Sequence, residues 1–404
     1  MSETRQNADS AVHSAVLATY AVFIATGLAF ASWASRIPQV RDQLSLDPAQ
    51  LGLVLLAIAA GSLVALPLAG VIVGHFGSAW IVRSMALLDA VGLAVIAVGY
   101  QVGVVPVLIG LFLFGFGQGA WDVAMNVQGA LAERRLGRAI MPRFHAGFSI
   151  GTVAGALVGA GMVALHVPVT AHLLAVAVLI AVSVPFAVRG FLPDHLEEDE
   201  AVAQADRSGA RRRALQAWRE PRTLLIGVFV LAFAFAEGTG NDWIGVALID
   251  GYGTTAAVGT LGFATFLAAM TAGRWFGPGL LDRYGRVVVI RVLTVICLVG
   301  VLLFVFGGWV WLAFAGAVLW GVGLALGFPV GMSAGADEPA MAAPRVSVIA
   351  SIGYCAFLAG PPLVGFIGHQ IGVRTAVVVV AVLLALAMLI AGSVRPPAGA
   401  TVDR

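Results

Sequence analysis

Stretches of about 20 mostly apolar residues recur along this chain, the length a helix needs to cross the hydrocarbon core of a bilayer. They lie near 14–34, 50–73, 80–100, 104–128, 143–165 and 168–189, then near 223–247, 255–277, 286–307, 309–332, 345–367 and 371–393. The bilayer core offers no water to bond backbone groups. Each stretch must pair its own N–H and C=O groups, and a helix does so within one segment. Composition agrees. Of the 404 residues, 60% are apolar and 11% charged, against roughly 45–50% and 25% in soluble domains. The expectation is an all-α, multi-pass membrane protein with twelve transmembrane helices. Most connections are short, so consecutive helices are expected to be antiparallel neighbours.

The only long polar stretch divides the helices into two sets of six. The expected organisation is an N-terminal segment (1–13), a first six-helix bundle (14–189), a linker (190–222), a second six-helix bundle (223–393) and a tail (394–404). The linker carries acids first and arginines second. It reads as a solvated connection, or as a short amphipathic helix with Trp218 at the membrane surface. Every basic residue is Arg. With both termini cytoplasmic, the outer loops hold only Arg36, Arg41 and Arg374. The rest cluster on inner loops and helix ends, including Arg134, Arg135, Arg138 and Arg143, and then Arg207 to Arg222. That bias favours N-in, C-in.

The halves resemble each other. GHFGSAWIVR, Gly74 to Arg83, follows the second helix, and DRYGRVVVIR, Asp282 to Arg291, follows the eighth. Aligned without gaps, Gly77 meets Gly285 and Arg83 meets Arg291. The first helix of each half carries a tryptophan near its outer end, Trp33 and Trp243. A parallel repeat of two six-helix bundles is one known plan for secondary transporters.

These residues resemble the major facilitator superfamily across about residues 14–393. Asp282-Arg283-Tyr284-Gly285-Arg286 resembles its loop signature. The matching first-half loop keeps Gly70, Gly77 and Arg83. It departs at Gly74 and His75, where the family carries Asp and a basic residue. Three further stretches are similar to a bacterial inner-membrane group distantly like fucose permeases: WASRIPQVRDQL at 33–44, MNVQG at 125–129 and MPRFHAGFSIG at 141–151. The resemblance implies the major facilitator fold, with a central cavity lined by the first, fourth, seventh and tenth helices. It also implies a cytoplasmic gate of Asp282, Arg283, Gly285 and Arg286 with Gly77 and Arg83.

Charged side chains at the centre of a span cost about 2.5–3.5 kcal/mol on insertion scales and so need a partner or a purpose. Asp89, Asp122 and Glu237 are such residues. Gln118, Asp122 and Asn126 recur at steps of four and share one helix face. The resemblance points that face toward the cavity, for substrate or a proton. The plainer reading is hydrogen bonding between helices. Glu237 has no basic neighbour in its own helix, and Gly238 and Gly240 loosen that helix beside it. It suits proton coupling, with Asn241 one turn further on. His145 opens the fifth helix and is a candidate relay or a cap. Arg36 and Asp242 are candidates for an outer gate, against a plain interfacial Trp belt with nearby charges. Asp89 is expected to pair with a neighbouring helix, and Arg274 to join the cytoplasmic charge cluster. Gly151, Gly155 and Gly159 form a close-packing face of the kind exporters carry.

No phosphate-binding loop, metal-ligand cluster or nucleophile triad stands out, so neither an enzyme nor a cofactor or metal is expected. The expected function is secondary active transport by alternating access in the inner membrane of a bacterium. Proton-coupled uptake of a sugar-like or other small polar metabolite leads. Proton-driven export of drug-like compounds is the alternative. A transporter-derived sensor, with 190–222 as output, is the alternative of another class. Expected partners are a small-molecule substrate, protons and the lipid bilayer, with no nucleic acid, and the chain is expected to act as a monomer.

Overall fold

The computed structural model describes residues 2–137, 140–193, 212–213, 215–338 and 341–396. Among them, 12 helices are long and apolar enough to cross a membrane. The first six spans are Ser10–Gln43, Pro48–Gly70, Ser78–Gly99, Val104–Leu136, Met141–Ala164 and Val169–Gly190. The second six are Pro221–Tyr252, Ala256–Phe276, Arg286–Phe306, Val310–Gly335, Pro344–Ile371 and Val373–Val394. Much of the linker, 194–211 with 214, lies outside the described residues, and with it most of the expected amphipathic segment.

Local chemistry sets the helix limits. Asp47 and Gln50 form a reciprocal capping box at the start of the second span, with Pro48 at its first turn. The fourth span outruns its apolar window and ends at Gly137, whose left-handed backbone (φ 69°, ψ 20°) stops it. The seventh ends at Gly253 in the same conformation (φ 66°, ψ 30°). Glu133, near the end of the fourth span, accepts the Ile140 and Met141 backbone N–H groups at 2.7 Å each. A carboxylate therefore satisfies the open amides that begin the fifth span.

The chain separates into two compact units, Met1–Glu200 and Ala201–Arg404. Within the first, the first span packs on the fifth, the second on the fourth, and the third on the fourth and sixth. Within the second, the seventh packs on the eleventh, the eighth on the tenth, and the ninth on the tenth and twelfth. The pattern repeats, with closest partners mostly not consecutive in the chain. The expectation drawn from short connections holds for the third and fourth spans and for the ninth and tenth, while the first–fifth, second–fourth, seventh–eleventh and eighth–tenth pairings lie outside it. The reason is glycine: Gly151 and Gly155 lie against the Ile24 and Leu28 carbonyls of the first span, where an added methyl would overlap them. Small residues let two backbones approach, and in lipid that contact outweighs chain order.

The aligned loop glycines share one backbone conformation. Gly77 has φ 80° and ψ 155°, and Gly285 has φ 78° and ψ 156°. Only glycine adopts this region readily, at a cost of about 1–3 kcal/mol for other residues. Nothing lies within 4 Å of a Cβ built on Gly285, so an alanine there meets backbone strain alone. Gly285→Ala is expected to destabilise the second unit by about 1–3 kcal/mol. A melting temperature equal to wild type contradicts this.

Candidate functional site

Two polar clusters lie within the spans. The first joins the third and fourth. Gln118 donates from Nε2 to both Asp89 oxygens at 3.2 Å each. Asp89 is fully buried, so it takes the neighbouring-helix pairing expected of it. One turn along, Asn126 donates from Nδ2 to the Asp122 carbonyl at 2.8 Å and to its Oδ1 at 3.3 Å. The stripe is thus divided: Gln118 is committed to Asp89, while Asp122 and Asn126 bond each other. His145 is exposed, with its ring centroid 5.2 Å from that of Phe23 in an edge-to-face arrangement.

The second cluster is built around a break in the tenth span, which is helical over Val310–Leu324 and again over Gly327–Gly335. Its cause is Pro329. Proline has no N–H to give the carbonyl four residues back, which is that of Ala325. Arg274 of the eighth span donates from Nε to the Ala325 carbonyl at 3.4 Å. Its Nη2 pairs with Glu237 Oε2 of the seventh span at 2.8 Å. This corrects two expectations. Arg274 belongs with Glu237 and not with the terminal charge cluster, and Glu237 has a cationic partner that its own helix does not supply. Asn241 shares the Glu237 face one turn on. Its Oδ1 and the Thr239 hydroxyl are buried without hydrogen-bond partners among the described residues. The ion pair and the helix break lie together within the second unit.

A third group lies at the end of the second unit where the seventh span begins and the twelfth ends. Asp337 accepts from Arg286 at 2.6 Å and from Arg222 at 2.7 Å. Arg222 also reaches the Ser393 and Arg395 carbonyls at 3.1 and 2.9 Å. Arg345 donates to Glu220 at 2.6 Å and lies 3.1 Å from Glu338. Asp282 and Arg283 are exposed and outside this network, with Arg283 resting 5.2 Å over the Tyr284 ring. Of the expected gate residues, Arg286 alone joins it, and Arg83 is exposed. The acid of the network is Asp337, which follows a helix end and carries no sequence signal of its partners.

The first unit has a neutral counterpart. Gln128 donates to Ser78 Oγ at 3.1 Å and to the Leu192 carbonyl at 2.9 Å, and accepts from the Leu192 N–H at 3.2 Å. Ser78 follows Gly77 as Arg286 follows Gly285. One repeat fastens this corner with an amide and the other with charges. The Arg345 guanidinium, by hydrogen bonding, holds the Glu220 carboxyl below the usual carboxylate range. A lowered folded-state pKa stabilises above the ordinary value, about 4.3, and that stability is lost as pH falls through the lowered value. Melting across an acidic pH series is expected to show that loss in wild type and less of it in Glu220→Gln. Identical profiles contradict it.

At the other end of the first unit, Arg36 is buried and donates to His172 Nδ1 at 2.9 Å. Asp242, the other residue expected at the outer gate, is half-buried in the second unit. Trp33 and Trp243 are 1% and 0% exposed, so neither forms an interfacial belt.

The Major Facilitator Superfamily profile matches residues 17–353. The chain is 32% identical over 371 residues to the uncharacterized transporter y4wD of Sinorhizobium fredii, covering 91% of this chain and 95% of that protein. It is 30% identical over 369 residues to the membrane protein MosC of Rhizobium meliloti, covering 90% and 87%. Its fold is similar to that of the nucleoside transporter NupG, with TM-score 0.69, 15% identity, and 93% and 98% of the two chains covered. It is also similar to the E. coli fucose:proton symporter FucP, with TM-score 0.60, 16% identity, and 93% and 97% covered. Twelve apolar spans in a repeated packing, a profile match over most of the chain and bacterial relatives along nearly its full length lead to one conclusion: this multi-pass membrane protein belongs to the Major Facilitator Superfamily and is a secondary transporter of a small-molecule substrate, not an enzyme.

Proposed function

We propose that this transporter couples uptake of a small polar solute to proton entry, by alternating access, in the inner membrane of a bacterium with both termini cytoplasmic. The observation that carries this reading is the Glu237–Arg274 pair at the tenth-span break. Glu237 binds Arg274 when ionised and releases it when protonated. The freed guanidinium and the Ala325 carbonyl then change their relation to solute. The unpartnered Asn241 oxygen, on the Glu237 face, favours a hydrogen-bonding solute over a lipophilic one. The similarity in fold to a fucose:proton symporter is in keeping with this. Gly151 and Gly155 are occupied in packing on the first span, so that stripe lends the exporter reading no weight. Asp122, with Asn126, is proposed as the first unit's contribution to solute or proton binding. The Asp337 network is proposed as the cytoplasmic gate.

The test is a thermal-stability screen of the purified protein against sugars, polar metabolites and lipophilic cations, with Asp122→Asn alongside. A ligand at about 100 times its dissociation constant stabilises by roughly 2.7 kcal/mol. A polar hit weakened by Asp122→Asn is the expected result. Hits confined to lipophilic cations overturn the uptake reading.

A further inference from the structure

Three arginines sit in the loops read as outer, and each was free to find an acceptor. Arg41 donates through Nε and Nη2 to Asp42 Oδ1 at 2.9 and 2.7 Å. Arg374 donates to the Gly251 carbonyl at 2.9 Å and lies 4.9 Å over the Tyr252 ring. Those are ordinary solutions for a cation: a carboxylate, and a helix C-terminus with an aromatic face. Arg36 has neither. It is 2% exposed, and its hydrogen bond goes to an imidazole nitrogen.

That bond defines the surroundings. A guanidinium can only donate, so His172 Nδ1 accepts and the ring is neutral, with its proton on Nε2. His172 Nε2–H is therefore a second donor, and it is buried without a partner among the described residues. So is Arg36 Nη2, and so is the indole Nε1 of Trp33, one helical turn back. Both amide atoms of Gln39 are buried and unpartnered too. At the Arg36–His172 pair itself two donors, Arg36 Nη2 and His172 Nε2, lack acceptors, one of them carries a full positive charge, and arginine does not discharge. A bound water would satisfy a donor but leave the charge uncompensated, and an unpaired buried charge is costly. An anion answers both needs.

We propose that Arg36, positioned by His172, binds a small anion in the first unit, either the carboxylate of a solute or a halide. The site is independent of proton coupling at Glu237, which belongs to the other unit. Its partner was missed in the sequence because His172 lies 136 residues away in a span that otherwise reads as plain apolar helix.

The experiment titrates the purified full-length protein with sodium chloride and, separately, sodium acetate, in HEPES at matched ionic strength, and reads melting temperature. The expected result is a saturable rise with at least one anion. In Arg36→Gln the half-saturation point moves by about tenfold or more, and in Arg36→Lys by less. A chloride response assigns a halide, and an acetate response without chloride assigns a carboxylate. Should Arg36→Gln fail to fold, bromide in wild-type crystals gives the second reading, with an anomalous peak expected beside Arg36 Nη2 for a halide site. Melting that rises equally with every anion, or Arg36→Gln and Arg36→Lys saturating as wild type does, overturns the proposal. So does the absence of both a bromide peak and an acetate response.

Discussion

Glu237→Gln is expected to abolish accumulation of solute and to destabilise the second unit more than Arg274→Gln does. The asymmetry follows from what each change leaves behind. Glutamine at 237 strands Arg274, which cannot discharge, next to a single carbonyl. Glutamine at 274 strands Glu237, which escapes by taking a proton. Breaking a buried pair from one side costs about 3–5 kcal/mol. The two side chains are 20% and 26% exposed, so screening reduces the expected loss to about 2–3 kcal/mol for Glu237→Gln, with about 1 kcal/mol for Arg274→Gln. The double variant is expected to be more stable than Glu237→Gln alone. Thermal unfolding of all three in one detergent checks the order. Losses that simply add in the double variant would mean that the pair is not coupled.

Asp337→Asn is the second large effect. Two arginines converge on this carboxylate, which is 7% exposed. Without its charge, Arg222 and Arg286 face each other with only a neutral amide between them. The expected loss is about 3 kcal/mol, at the low end for a buried pair because the arginines are 32% and 25% exposed. Asp282→Asn, at an exposed position outside the network, is expected to change stability by less than about 0.5 kcal/mol. Melting of the two variants side by side decides which acid holds this end. A larger loss from Asp282→Asn contradicts the network as described.

How much of this was legible follows from what a linear sequence encodes. Span positions were legible because lipid demands a run of apolar residues whatever packs against it. The repeat was legible at Gly77 and Gly285 because their shared backbone conformation admits little but glycine. Pairings across helices were not. The seventh and eighth spans place Glu237 and Arg274 on facing surfaces, and no periodicity within either span specifies that. Arg274 also misled by depth. Its span ends at Phe276, but after Gly277 the chain continues as the helix Pro278–Tyr284. That extra helix sets the loop-signature charges Asp282 and Arg283 apart from Arg274, whose side chain turns to Glu237 instead. Asp337, Glu220 and Arg345 sit at three separate helix ends, and nothing within any one helix specifies the ion pairs they make.

The central claim is that Glu237 carries the proton that drives transport. Its most direct test uses proteoliposomes, an imposed inward proton gradient, and a solute identified by the stability screen. Wild type is expected to accumulate the solute and acidify the lumen. Glu237→Gln is expected to exchange solute across the membrane in both directions without accumulating it or moving protons. Undiminished accumulation with proton entry in Glu237→Gln would contradict the account.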